Sequence, residues 1–168
     1  MAINLGDLES AALRLLVGTR NFAAVVAAIG TTTTKVKTTN AAQFCINGKQ
    51  YTKAATDDLW TLAGAVIPAS GTGYFLLCLN ASGTASVIQG AVFNSDGTYN
   101  SLSPVKLGYH GDITNSSGTP TVCPIAEVKV VMGAGGAFTP GTTALTGGNI
   151  GSVTYTDLSC LPLGEKAA

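Results

Sequence analysis

The chain has 168 residues, with nine Lys plus Arg balancing nine Asp plus Glu, so its formal net charge is zero. Charged residues make up only 11% and hydrophobic ones 46%, which excludes a disordered polar chain and supplies apolar side chains for a real core. With no basic run and its cations spread thinly, the chain lacks the electrostatic footprint of a nucleic-acid binder.

So few charges protect a lone monomer poorly against association. The composition therefore favours a subunit that buries surface against neighbours over a solitary domain with a polar coat. At the N-terminus, "MAINLGDLESAALRLL" is not a secretory signal, because Asp7 and Glu9 stand where positive charge belongs and Arg14 interrupts the apolar part. A cytosol-like compartment is expected. Leu5, Leu8, Ala12, Leu15 and Leu16 recur at helical spacing on one face. Gly18 is a candidate stop. A second short helix is predicted from Asn21 to Ile29, with Asn21 as N-cap and Gly30 as its end. At about ten apolar residues, "NFAAVVAAIG" is too short to span a bilayer. Residues 1–30 thus read as a helical arm, which either caps its own domain or docks on a partner subunit.

Residues 31–40, "TTTTKVKTTN", form a Thr-rich connector that prefers extended structure. Beyond it, residues 41–168 read as a β domain. Gln43 to Ile46 and Lys49 to Thr52 flank Asn47-Gly48, a strong hairpin signal. "YFLLCLN", Tyr74 to Asn80, predicts a central strand buried on both faces, and "ASG" turns it back into Ala85 to Gln89. Ser95-Asp96-Gly97 marks another turn. In "EVKVVM", Val128, Val130 and Met132 share one face, and Glu127 and Lys129 the other. Gly151 to Asp157 is the last predicted strand, and residues 108–121 a surface loop. Short strands at such intervals, separated by Gly-rich turns, indicate a β-sandwich or barrel.

The search for chemistry yields little. His110, the one histidine, lies in "LGYHGD" with Asp112 nearby and reads as a loop residue. No nucleophile elbow, HExxH or P-loop occurs. "GAGG" at 133–136 is followed by Pro140 and further turn residues, unlike a dinucleotide fingerprint. Asp57 and Asp58 are sequence neighbours, which suits turn and capping chemistry after Thr56 better than a catalytic pair. Cys45, Cys78, Cys123 and Cys160 each lie in or beside an apolar run, without a CxxC pair, and are expected as buried thiols. No catalytic residue, metal site or cofactor is assigned, and the chain is not read as an enzyme.

"FCINGKQYTKAATDDLWTL", "GYFLLCLNASGTASVIQG", "CPIAEVKVVMGAGGAFTPGTTAL" and "VTYTDLSCLP" together resemble a family of tailed-phage structural proteins, associated with head decoration (cement) and with head or tail fibre modules. The shared stretches span about residues 43–162 and leave out the arm. The resemblance implies a mainly β fold, a jelly-roll-like β-sandwich or barrel here carrying an N-terminal α-helical arm, assembled as small symmetric oligomers. The expected function is a capsid cement protein, made in the host bacterial cytoplasm and located on the capsid surface of the virion. It would bind between major capsid protein subunits and stabilise the head, with a trimer favoured and neither nucleic acid nor membrane as partner. The arm would supply contacts through Leu5, Leu8, Leu15, Leu16, Phe22, Val25 and Ile29. The alternative is a fibre or spike module that binds host glycan, with Trp60, Tyr99, Tyr109 and Tyr155 as candidate sugar-stacking aromatics.

Overall fold

A computed structural model of the chain describes residues 18–100 and 120–159. Ten strands run through them: β1 (Arg20–Asn21), β2 (Ala27–Ile29), β3 (Lys35–Thr38), β4 (Ala42–Ile46), β5 (Lys49–Lys53), β6 (Trp60–Thr61), β7 (Thr72–Asn80), β8 (Ala85–Phe93), β9 (Val122–Met132) and β10 (Ile150–Asp157). They form three sheets, ordered β1-β4-β5, β10-β9-β7-β8 and β2-β3-β6, and every strand pairing is antiparallel. The chain is mainly β, as the alternating apolar runs require.

Local chemistry sets the turns. Asn47 and Gly48 hold φ at 50° and 78°, both left-handed, as a two-residue type I′ turn demands. Ile46 and Lys49 close the ladder beside it. After β7, the Asn80 side chain accepts from Ser82 N and Thr84 N, each at 2.9 Å, an Asx turn that starts the return into β8. Asp96 acts alike, accepting from Thr98 N at 2.9 Å and from the Thr98 hydroxyl at 2.6 Å.

The core lies between the four-stranded sheet and the two smaller ones. Phe75, Leu77 and Leu79 of β7 and Ile125, Val128 and Val130 of β9 pack there with Phe44, Trp60, Ile67 and Phe138, all essentially inaccessible. Five consecutive residues of β7, from Phe75 to Leu79, are buried, so this central strand is covered on both faces, as its continuous apolar run predicts. The Trp60 indole N–H donates to the Cys78 carbonyl at 3.0 Å, which satisfies its one polar atom inside the core. Ile67 and Phe138 exchange backbone hydrogen bonds at 2.9 and 3.0 Å and pin their two loops together.

One expectation is corrected. Residues Asn21 to Ile29 form no helix; they contain the end of β1 and all of β2. Asn21 is buried, and its amide donates to the Ile125 carbonyl at 3.4 Å while its oxygen accepts from Ala23 N at 3.4 Å. A turn, rather than a helix N-terminus, uses its capping capacity. Val26 sits at φ 49°, which no helix interior tolerates. Ala27, Ala28 and Ile29 pair with Thr38, Lys37 and Val36, so cross-strand pairing overrides the helical propensity of the alanines. Val36 also places part of the expected connector in a strand, β3, between β2 and β6. The first expected helix, with Leu5, Leu8, Leu15 and Leu16, lies outside the described residues.

Candidate functional site

The four-stranded sheet ends on one side in β10, an edge strand of that sheet. Its register with β9 puts Val153 opposite Val130 and Tyr155 opposite Val128, on the core side. Thr154 and Thr156 stand opposite Lys129 and Glu127 on the other face. None of the eight residues of β10 is buried, so the apolar side chains of Ile150, Val153 and Tyr155 are only half covered and the core thins towards this edge. Partial burial also raises the Tyr155 phenol above its ordinary pKa. At its far end, the Asp157 carboxylate accepts from Val26 N at 3.1 Å and Ala27 N at 3.4 Å, which ties the strand to the segment before β2.

Two other edges, those of β8 and β5, are guarded. Along β8, the Gln89 side chain accepts from Ala65 N at 2.5 Å and donates to Ala65 O at 2.7 Å, so the 63–66 strap lies against that strand. At β5, lysines 49 and 53 bracket the strand, and edge lysines discourage pairing with another chain. β10 carries no Lys, Arg or Pro, and among the described residues no strand pairs with its outer side. The sequence signal was present in "IGSVTYTD" set against "KQYTK", but it has meaning only once both are known to be edges.

The expected interface residues separate. Phe22 is 37% exposed, Ile29 is partly buried against the core, and Val25 is fully inaccessible. Val25 therefore belongs to the chain's own core and offers no contact to a partner. Its carbonyl also accepts from Thr39 N and Asn40 N at 3.1 and 3.0 Å. Leu5, Leu8, Leu15 and Leu16 lie outside the described residues.

Asp57 and Asp58 brace a loop. Asp57 accepts from Thr31 N at 3.1 Å, and Asp58 from Thr32 N at 2.9 Å and from the Thr32 hydroxyl. Hydrogen bonds from the Thr31 side chain and backbone hold the Asp57 carboxyl below its ordinary range. A Cβ at position 30 would collide with the Asp58 carboxylate, so Gly30 permits this close approach. Thr56 caps no helix; its hydroxyl donates to the Ala54 carbonyl at 2.8 Å.

Cys45, Cys78 and Cys123 are buried. Desolvation, with a smaller contribution from nearby Cys123, pushes the Cys78 thiol up to about 12, which makes it a poor nucleophile. Cys160, His110 and Asp112 fall outside the described residues. Among the candidate sugar-stacking aromatics, Trp60 is inaccessible, Tyr99 packs edge-on against Phe93 at 6.3 Å, Tyr155 is half covered, and Tyr109 is not described. Among the described residues, no group of three or more His, Cys, Asp or Glu stands together to hold a metal ion, and no helix is long and apolar enough to cross a membrane.

Comparison with protein-family models, curated proteins and solved structures yields no match for this chain.

Proposed function

We propose that the chain is a structural subunit of a tailed-phage virion, a cement or decoration protein that seats on the capsid surface between major capsid protein subunits. The β10 edge carries this reading. It is eight residues long with a single charge, Asp157 at its far end, flanks half-covered apolar residues, and lacks the protection that β5 and β8 possess. In a chain with 11% charged residues, such an edge is stabilised by pairing with a second chain. A homo-oligomer, with a trimer favoured, covers Ile150, Val153 and Tyr155.

The stretches that resemble the phage family support the same reading by their placement. "INGKQYTK" is the β4–β5 hairpin, "GYFLLCLNASGTASVIQG" the β7–β8 hairpin, "PIAEVKVV" the core of β9, and "VTYTD" the end of β10. The jelly-roll-like topology belongs to this proposal, with the all-antiparallel pairing as its support. Assembly takes place in the host cytoplasm, and the role is non-enzymatic. Leu5, Leu8, Leu15 and Leu16 remain the proposed arm contacts. Binding the assembled lattice and not its free subunits stabilises the head by mass action, by about 2.7 kcal/mol at a hundredfold excess over Kd.

The test is particle composition and add-back. Mass spectrometry of purified virions is expected to find the chain at fixed stoichiometry. Heads lacking it should bind it saturably and then disrupt at higher temperature. Its absence from particles, together with no binding to heads, would sink the reading.

A further inference from the structure

The β1-β4-β5 sheet has two faces of opposite character. Arg20, Cys45 and Gln50 form one cross-strand row, and Asn21, Phe44 and Tyr51 the next. Phe22 N donates to Gln43 O at 2.7 Å, and Gln43 pairs with Thr52, which gives a third row. Side chains alternate across a sheet. The middle row therefore turns inward, where Phe44 stacks on Tyr51 at 5.7 Å. The first and third rows share the opposite face, on which Cys45 is buried and Phe22, Gln43, Gln50 and Thr52 are exposed. Together they enclose a shallow groove of about 290 Å³ lined by Phe22, Gln43, Gln50 and Thr52 and floored by Phe44 and Tyr51.

This face combines three unusual features. Phe22 is one of only three large hydrophobic side chains exposed among the described residues. The Arg20 guanidinium lies 5.0 Å above its ring and has no carboxylate partner among the described residues. Its Nε is shielded from water and has no acceptor among the described residues, which leaves a charged donor unsatisfied there. Gln43, Gln50 and Thr52 are exposed, with amides and a hydroxyl that both donate and accept.

We propose that this face binds a carboxylate-bearing saccharide, of the uronic or sialic acid type. One guanidinium suits one carboxylate, met side-on once it turns on the Phe22 ring, so that Nε gains its missing acceptor. Vicinal sugar hydroxyls donate and accept together, which matches the two amides and the threonine hydroxyl. The Phe22 ring offers an apolar surface to the ring C–H groups. A polyphosphate or nucleic acid would need several cations, and among the described residues only Arg20 stands on this face, with Lys49 over the Tyr51 ring of the inward row. A lipid tail would need a deeper apolar cavity. The site is separate from the β10 edge and does not depend on the virion reading.

The experiment uses the full chain, isotope-labelled and titrated with glucuronate-containing and N-acetylneuraminate-containing oligosaccharides, with neutral glucose oligomers, and with an acidic peptide. Saturable shifts confined to the amides of Phe22, Gln43, Gln50 and Thr52 are expected for one or both acidic sugars, which also identifies the acid type. Neutral sugars are expected to bind about tenfold more weakly or worse. Arg20→Gln should remove that discrimination, and Phe22→Ala should weaken binding without changing it. Gln50→Ala, at an exposed position, separates lost recognition from lost folding when its melting curve matches the parent's. No localised shifts at about 10 mM sugar, acidic and neutral sugars binding alike, or the peptide binding as tightly as the sugars would each overturn the proposal.

Discussion

Val26 holds φ at 49°, although a β-branched side chain in the left-handed region costs about 1–2 kcal/mol. Asn47, Asp58 and Ser70 adopt similar angles with small polar side chains, three residue types at ease in turns. Val26 is held there by its N–H bond to Asp157 and by Thr39 N and Asn40 N bonding Val25 O. Its side chain is 46% exposed, so little packing is lost on replacement. Val26→Asn is expected to stabilise the chain by about 0.5–1 kcal/mol, read as a rise in thermal midpoint of about 2 °C; a fall would show that the valine packs usefully. A second residue-level outcome concerns pH. The Asp57 carboxyl is depressed from 3.8 by its Thr31 hydrogen bonds. A depressed carboxylate contributes stability that is present above the unfolded pKa and is lost as pH falls through the folded value. The protection factor of the Thr31 amide, its rate relative to the unfolded chain at the same pH, should therefore hold at pH 5 and drop once the pH falls below 3.8. A protection factor that is flat across this window would mean that Asp57 does not hold the loop.

At the scale of elements, local chemistry was legible where it sufficed. Asn47-Gly48 named its own turn, the apolar run 74–80 its own burial, and Val128, Val130 and Met132 their shared face, because each signal lies within a few residues. Asn21 to Ile29 misled because its alanines favour a helix while its actual partners, Ile125, Asp157 and Val36, lie 7 to 131 residues away. Val25 was misassigned for the same reason. The Arg20–Phe22 face was invisible in sequence, since it needs the registers of three strands to bring Gln43, Gln50 and Thr52 beside them. The β10 edge likewise required knowing which strand stands last. It yields its own prediction. Val153→Lys places an inward-pointing charge beneath an edge, a natural guard against strand pairing. The lysine stem can keep covering Val130 while its ammonium reaches water, so the monomer should lose only about 1 kcal/mol. Light scattering should show the parent as an oligomer and the variant as a monomer. An oligomer unchanged by Val153→Lys would place the contact elsewhere.

For the whole molecule, the strands that replace the second expected helix change how the arm can be tested. Removing residues 1–30 would take β1 and β2, and with them Asn21 from beneath Ile125 and Val25 from the core. Loss of capsid binding would then report only a broken fold. Removing residues 1–17 spares every described strand and isolates Leu5, Leu8, Leu15 and Leu16. If those leucines contact the capsid, this truncation should keep the parent's thermal midpoint within about 2 °C, a difference under about 1 kcal/mol. It should still form the β10-dependent oligomer and lose occupancy on heads. A tenfold weaker Kd removes about 1.4 kcal/mol of head stabilisation at fixed concentration, so the disruption temperature of decorated heads should fall towards that of bare ones. If occupancy stays at the parental level while Val153→Lys abolishes it, oligomerisation through the β domain alone provides the grip, and the leucine stripe serves only the chain itself. If the two segments make independent contacts, their effects on occupancy should combine additively in free energy. Strong coupling between them would instead show that the arm and the β10 edge meet in one interface.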